Sequence, residues 1–335
     1  MRVLFAARYH LTWRSGVGST THWLALELAR RGHDPAVLTF EPSPPAPALR
    51  VDNSREYPVF AAPRADLALR EVAESFGADV VVVAAVNRTR SEWARSMLER
   101  AAPLPALLYV HDVGGVELTG ANGPADGAVA AVSDFVAGEV RSRGGEAITV
   151  PPIVTRAGYR VETSRRVALF VNPIPQKGLD TVLRLAEGRP DVAFAFNLGW
   201  PIDDAALGDL KAEAHRLGNV EVRPSTGDPA ELYGDARVLL VPSTYPEAWG
   251  RVAGEAQASG IPVIASALGG LPEAVGDGGV LVDPHAGVEG WLQAFALLWD
   301  DEKAYADRAS RAELNGRRAD AMAAETAERF EGLLA

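Results

Sequence analysis

Two hydrophobic periods alternate along the chain. Short apolar runs such as "RVLFAA" from Arg2 and "ADVVVVAAV" from Ala78 read as strands buried on both faces. Between them lie longer segments whose apolar residues recur at helical spacing. In the first half this pattern predicts strands near 2–7, 35–40, 79–86, 106–110, 127–132 and 146–150, with helices near 18–31, 64–76, 89–101 and 133–143. Such a rhythm belongs to βα units around a parallel sheet. One stretch departs from it: "EPSPPAPALRVDNSREYP", 41–58, is Pro-rich and without a clean period, and is expected to be a surface loop at the sheet edge.

"VPPIVTRAGYRVETSRR", 150–166, interrupts the rhythm with two prolines and then charges, and marks the domain boundary. A second α/β series follows, with strands near 167–172, 192–197, 219–223, 237–241, 261–265 and 279–282 and helices near 178–187, 203–217, 250–259 and 287–299. From Asp301 onward two amphipathic helices are expected. The second, 317–334, is expected to reach back toward the first domain. The organisation predicted is an N-terminal Rossmann-like domain (1–155), a C-terminal Rossmann-like domain (156–316) and a terminal helix (317–335). Both domains are α/β with doubly wound parallel sheets, expected to face each other across a cleft because ligands bind at the carboxyl ends of such strands.

Composition narrows the partners. A formal charge of −11 opposes a nucleic-acid backbone or an anionic membrane surface as the main partner. The chain has no cysteine, which excludes disulfides, thiol catalysis and cysteine-ligated metals and makes a cytoplasmic setting the default. No signal-peptide core and no run of about 18 apolar residues is present, so no leader or transmembrane segment is expected.

Several stretches could carry chemistry. Gly16 and Gly18 open the first long helix, where backbone N–H groups and the macrodipole favour an anion, although a flexible turn reads equally from the same residues. The string is not a G-x-G-x-x-G fingerprint, since Thr21 stands where the third glycine would be. His111 follows an apolar strand, and topology puts it at the ligand end, to donate to a hydroxyl or exchange a proton, or else simply to cap the strand. Asp112 reads as a turn residue. Asn172-Pro173 ends the first strand of the second domain, and Lys177-Gly178 opens the next helix, combining an ammonium with helix N–H groups in a way that suits a diphosphate, although a lysine at a helix start taken alone reads first as a solvated side chain. Arg223 ends another strand on the same side. No cluster suggests a metal site, and Asp203-Asp204 and Asp300-Asp301 read as helix-start and turn charges.

The most informative stretch is "TYPEAWGRVAGEAQASGIPVIAS", 244–266, in which Glu247 and Glu255 are eight positions apart. On a helix that spacing would separate the side chains by roughly 80° in azimuth and about 12 Å along the axis. Such a pair does not share a proton or a metal. It also fits poorly the roughly 5 to 9.5 Å of glycosidase carboxylate pairs. Two separate posts along an elongated ligand fit better.

With these residues assembled, the second domain resembles family 4 retaining glycosyltransferases, which have the two-Rossmann-domain GT-B fold. "PSTYPEAWGRVAGEAQASGIPVIAS" looks like that family's E-x7-E element, and "GLPEAVGDGGVLVDP" resembles its continuation. Weaker likeness covers "SGVGSTTHWLALELARRGH", "HDVGG" and "PIPQKGLD". The resemblance implies a nucleotide-diphosphate sugar, with UDP-sugar the first choice, bound mainly by the C-terminal domain, and metal-independent transfer to an acceptor hydroxyl with retained configuration. It further implies that Glu255 holds the ribose hydroxyls and that Glu247 and the amides of Ala248, Trp249 and Gly250 meet the sugar. Lys177 would bind the diphosphate, His111 would face the transferred sugar, and Gly16 and Gly18 would lie near the phosphates. Where the family commonly has Gly-Arg, this chain has Asn172-Pro173, so one diphosphate cation is missing. Arg223, Arg251, Arg8 or Arg14 could replace it.

No tightly bound cofactor is implied. The acceptor side is expected in the N-terminal domain around Tyr9, His10, Trp13 and Arg14, with the 87–92 and 113–122 loops, and a small soluble acceptor is favoured over a lipid. A sugar-nucleotide epimerase, a phosphorylase or a non-catalytic sugar-nucleotide-binding protein remain as alternatives on the same scaffold.

Overall fold

The computed structural model describes residues 1–8, 15–41, 49–86, 91–119 and 128–334, with Ser91 described by its backbone alone. It divides into two compact units, Met1–Ile153 with Met322–Ala335, and Val154–Ala321.

The first unit contains β1 (Arg2–Ala6), α1 (Gly16–Arg30), β2 (Asp34–Phe40), β3 (Arg50–Asp52), β4 (Val59–Ala62), α2 (Ala65–Phe76), β5 (Val80–Ala85), α3 (Ser91–Ala101), β6 (Ala106–Val110), β7 (Val129–Ala131), α4 (Asp134–Ser142) and β8 (Ile148–Thr149). They form an eight-stranded sheet in the order β3-β4-β2-β1-β5-β6-β7-β8. Every neighbouring pair in it is parallel except β3 with β4. The strands β1 and β5 are buried almost throughout, which is why their sequences are continuously apolar.

The expected loop at 41–58 is corrected in part. Val51 pairs with Phe60 in an antiparallel ladder, and Val59–Ala62 pairs with β2. The β3 strand is exposed along its whole length, so no alternation of apolar and polar residues marks it, while Pro58 hides the start of β4.

The second unit contains α5 (Arg156–Tyr159), β9 (Val167–Val171), α6 (Leu179–Gly188), β10 (Ala193–Asn197), α7 (Asp204–Leu217), β11 (Val220–Arg223), α8 (Pro229–Tyr233), β12 (Ala236–Val241), α9 (Arg251–Gln257), β13 (Val263–Ser266), α10 (Leu271–Val275), β14 (Gly279–Val282), α11 (Gly287–Trp299) and the start of α12 (Glu302–Glu331). Its sheet runs β11-β10-β9-β12-β13-β14, all parallel. Counted from its own first strand this is 3-2-1-4-5-6, the doubly wound order in which strands are added to one side up to the third and to the other from the fourth, so that the strand order reverses between the first and fourth strands. Side chains alternate across it: Ala168 and Phe170 pack under α6, α7 and α11 with Phe194, Phe196 and Phe295, while Val167 and Leu169 pack under α8, α9 and α10 with Tyr233, Leu239 and Val263. Each large side chain so buried contributes roughly 1.5–3 kcal/mol. Among the described residues no helix is long and apolar enough to cross a membrane.

The expectation of two terminal helices is also corrected. A single helix of 30 residues, α12, runs through Gly316. A Cβ on Gly316 would meet the Gln257 carbonyl oxygen at 2.7 Å and Ala258 Cα at 2.9 Å. The glycine therefore serves close approach to the end of α9 and does not break the helix. At its far end Phe330 packs against Phe5 and Tyr109 with centroids 6.0 and 5.9 Å apart, within the first unit. Glu331 accepts from Arg31 at 2.8 and 2.6 Å and lies 3.0 Å from His33 Nε2.

Candidate functional site

The strand order of the second unit reverses between β9 and β12, and a crevice for ligand is expected beyond the carboxyl ends of those two strands. The chain leaving β9 turns at Asn172, whose φ is +61°. Asparagine is one of the few residues other than glycine that accepts this left-handed conformation, so the turn is kept without glycine, and Pro173 brings no cation to it. A 3-10 turn, Pro175–Lys177, follows and presents Lys177 at the start of α6. Thr244, just past β12, donates its N–H to the Gln176 carbonyl at 3.0 Å and so ties the two strand ends together. Gly178 has φ +87°, and a Cβ there would lie inside the van der Waals shell of the Pro242 carbonyl oxygen, so only glycine permits this approach.

Glu247 arrives from the other side. It lies in the loop between β12 and α9 rather than on the helix, so helical arithmetic does not govern its distance from Glu255. The β13–α10 turn holds it: Gly270 donates to the Glu247 carbonyl at 2.7 Å, and side chains at Gly269 or Gly270 would collide with the backbone of 246–249. Gly250, with φ +100°, turns the chain into α9, and Trp249 covers Gly254, where a Cβ would meet its ring at 2.9 Å.

Lys177 Nζ lies 2.8 Å from Glu247 Oε1, with side-chain exposures of 12% and 10%. Ser243 donates its hydroxyl to the same carboxylate oxygen. The ammonium also sits 5.1 Å from the centroid of Trp200 and 5.2 Å from that of Tyr245. Burial alone would lower the Lys177 pKa, but Glu247 and Tyr245 outweigh it and hold the group above its usual value.

Glu255, on α9, has a separate set of partners. Tyr233 donates its hydroxyl to Oε2 at 2.9 Å, and Arg251 Nε approaches Oε1 at 3.2 Å. Arg251 Nη2 reaches the Tyr159 hydroxyl at 3.0 Å. Burial pushes the Tyr233 hydroxyl well above its ordinary value, and the Glu255 charge adds to the effect. The two carboxylates thus occupy different environments, Glu247 with Lys177 and Ser243 and Glu255 with Tyr233 and Arg251.

Arg223 is placed differently from a ligand-facing cation. Its guanidinium is paired with Asp235 at 3.0 and 2.8 Å and with Glu221 at 2.7 Å. Hydrogen bonding to Asp235 is the main cause that raises its pKa. Asn172 lies beside the β10–α7 turn, where a Cβ on Gly199 would press on its carboxamide. The indole of Trp200 is 40% exposed beside Lys177.

In the first unit, Gly16 and Gly18 form the first turn of α1, capped by Ser15, which accepts from Gly18 N at 3.0 Å. His111 follows β6. Its N–H donates to the Ala85 carbonyl at 2.9 Å, and its ring lies 4.2 Å from that of Tyr109. Asp112 caps the next 3-10 turn, accepting from Gly114 N at 2.6 Å. Tyr9, His10, Trp13 and Arg14 lie outside the described residues. Ser243, Tyr245, Trp200 and Tyr233 were not among the site residues expected from sequence. Only their positions at or just beyond strand and helix ends could have signalled them.

Residues 155–315 match the family model described as "Glycosyl transferases group 1". Among curated proteins, the D-inositol 3-phosphate glycosyltransferase of Mycolicibacterium smegmatis is 38% identical over 164 residues, 46% of this chain and 37% of that protein. That of Corynebacterium diphtheriae is 50% identical over 155 residues, 41% of this chain and 35% of that protein. The matches thus span about a third of these relatives' length. Among solved structures, sucrose-phosphate synthase from Thermosynechococcus elongatus superposes with a TM-score of 0.78 at 18% identity over 99% of both chains. Anabaena Alr3699/HepE, in complex with UDP and glucose, superposes with a TM-score of 0.77 at 18% identity, over 100% of this chain and 99% of that one. Residues 155–315 are accordingly similar to group 1 glycosyl transferases, in a chain that has the fold of the GT-B glycosyltransferases.

Proposed function

We propose that the protein is a retaining glycosyltransferase of family 4 that moves a sugar from a nucleotide-diphosphate sugar, a UDP-sugar by first choice, to a hydroxyl of a small polyhydroxylated acceptor. The observation that carries this reading is the Lys177–Glu247 pair, seated with Ser243 at the reversal point of the second sheet. The names of the matched relatives, D-inositol 3-phosphate glycosyltransferases, support the acceptor class. The UDP and glucose named for the Anabaena neighbour support the donor class.

In this reading the sugar hydroxyls take the place of Lys177 as partners of Glu247, and the released ammonium turns to the diphosphate. Glu255 receives the ribose hydroxyls, with Arg251 and Tyr233 fixing its orientation. As the glycosidic C–O bond breaks, negative charge on the departing phosphate is met by Lys177 and the first N–H groups of α6. The acceptor hydroxyl attacks the same face, and its proton passes to a phosphate oxygen. No enzyme carboxylate bonds to the sugar, and the scheme needs no metal. Tyr9, His10, Trp13 and Arg14 are assigned to the acceptor, and His111, Gly16 and Gly18 to the transferred sugar and phosphates. The first unit is read as the acceptor domain and residues 156–316 as the donor domain, in a cytoplasmic protein.

The test is a thermal-shift panel of nucleotides, in which a ligand at about 100 times its Kd adds roughly 2.7 kcal/mol. Uridine diphosphate is expected to stabilise the wild type. Glu255→Ala should lose that response, whereas Glu247→Ala should keep it and lose turnover. Net sugar transfer supports the proposal. An isomerised donor would instead make the protein an epimerase, and binding without turnover would make it a non-catalytic receptor.

A further inference from the structure

The second unit holds a cavity of 330 Å³ at the opposite end of β9 from Asn172, lined in part by Arg156, Arg160, Arg165, Glu162, Ser259 and Glu313. Its hydroxyl groups are already used within the protein. Ser259 Oγ donates to the Tyr159 carbonyl at 3.0 Å and accepts from Val161 N at 2.8 Å, while Thr163 Oγ1 donates to the Ala236 carbonyl at 2.6 Å. The guanidinium groups are not used to the same extent. Arg156 Nη2 stands 3.5 Å from Glu313, and its Nε is buried with no hydrogen-bond partner. Arg160 has no side-chain hydrogen bond or ion pair among the described residues. Glu313 is itself shared with Arg317 at 2.8 Å, so cationic donors exceed the carboxylates available to them.

A second observation concerns the backbone. Arg165 has φ +57°, a left-handed conformation unfavourable for a long side chain, and its N–H donates to Thr163 Oγ1 at 3.1 Å, which holds the turn. Its guanidinium lies over the Tyr305 ring, 5.6 Å from the centroid, and the residue itself lines the cavity. Strain kept at a cavity edge points to use of the side chain it presents.

We propose that this cavity is a second ligand site, distinct from the Lys177–Glu247 crevice, for a small molecule bearing a phosphate monoester or diphosphate. Guanidinium forks match phosphate oxygens in bidentate geometry, and three arginines line this cavity in a chain of net charge −11. The volume suits a compact ligand. On binding, Arg156 Nη2 exchanges its 3.5 Å contact with Glu313 for the phosphate.

Inorganic pyrophosphate is the probe, titrated calorimetrically at constant ionic strength with sodium chloride as control. The crevice is silenced by the double substitution Lys177→Met/Glu247→Gln, so that remaining saturable binding reports this cavity. The double variant is expected to bind pyrophosphate, and Arg160→Ala in that background is expected to weaken binding at least tenfold. Arg165→Gly relieves the backbone conformation, so its thermal midpoint should hold or rise while its affinity also falls at least tenfold. Absence of saturable binding in the double variant overturns the proposal, as does unchanged affinity in the Arg160→Ala variant.

Discussion

Replacing Lys177 by Met should destabilise the protein far more than the loss of a surface ion pair. At 2.8 Å and an effective dielectric of about 20, the Lys177–Glu247 attraction is on the order of 6 kcal/mol gross. Most of it offsets the desolvation of two groups that are nearly nine-tenths buried. Removing the ammonium leaves the Glu247 carboxylate to the neutral Ser243 hydroxyl, and such an uncompensated buried charge costs about 3–5 kcal/mol. The reverse change, Glu247→Gln, should cost less. The stranded ammonium keeps the faces of Trp200 and Tyr245, each worth about 1 kcal/mol, and the glutamine oxygen still accepts from Ser243. The double variant buries no charge, so it should lie within about 2 kcal/mol of wild type and give a coupling energy of at least about 3 kcal/mol. Urea unfolding followed by tryptophan fluorescence measures the cycle, and the midpoint temperature of Lys177→Met should fall by roughly 10 °C. Because the Lys177 pKa is raised, the stabilisation is fully present below the unfolded value of about 10.4 and is lost only as pH rises through the higher folded value. The gap between wild type and Lys177→Met should therefore be flat from pH 7 to pH 9. Additive single-variant costs, or a Glu247→Gln variant less stable than Lys177→Met, would refute the reasoning.

Two further outcomes are expected. Asn172→Gly with Pro173→Arg restores the cation the family commonly carries, and one charge-assisted hydrogen bond of about 1.5–3 kcal/mol should tighten uridine diphosphate binding by roughly 10- to 100-fold in calorimetry; unchanged affinity would place the missing charge elsewhere. Glu331→Gln should lower the midpoint temperature at pH 7. Hydrogen bonding from Arg31 holds that carboxyl below its usual value, so its contribution is present above the unfolded pKa of about 4.3 and is lost as pH falls through the lower folded value. Melts in strong acid should then show no difference between the two proteins.

The inner strands β9, β10, β12 and β13 were legible because burial on both faces writes them as largely apolar runs, whereas the edge strand β11 shows only the alternation of Val220 and Val222 with Glu221. The ends of β9 and β12 were legible too, since proline and glycine punctuate them. What brings Lys177 to Glu247 was not, because the two are far apart in sequence and meet through the Thr244–Gln176 tie and the bare face of Gly178, neither of which has a local signature. Arg223 shows the same limit from the other direction. Topology correctly puts it at a strand end, but Asp235, which takes up its charge, can only be found in three dimensions. The β3–β4 ladder escaped because an exposed three-residue strand has no hydrophobic face to read. Gly316 misled because one residue type serves both helix ends and close packing.

The helix that carries Gly316 also decides how this chain can be divided or recombined. A cut at residue 153 separates Phe5 and Tyr109 from Phe330, and removes Glu331 from Arg31 and His33. A chimera that exchanges residues 1–153 for those of a related protein inherits a foreign final turn in its first core. To keep that core intact, the exchange must take residues 322–335 as well, so that the two ends of the chain travel as one inherited piece.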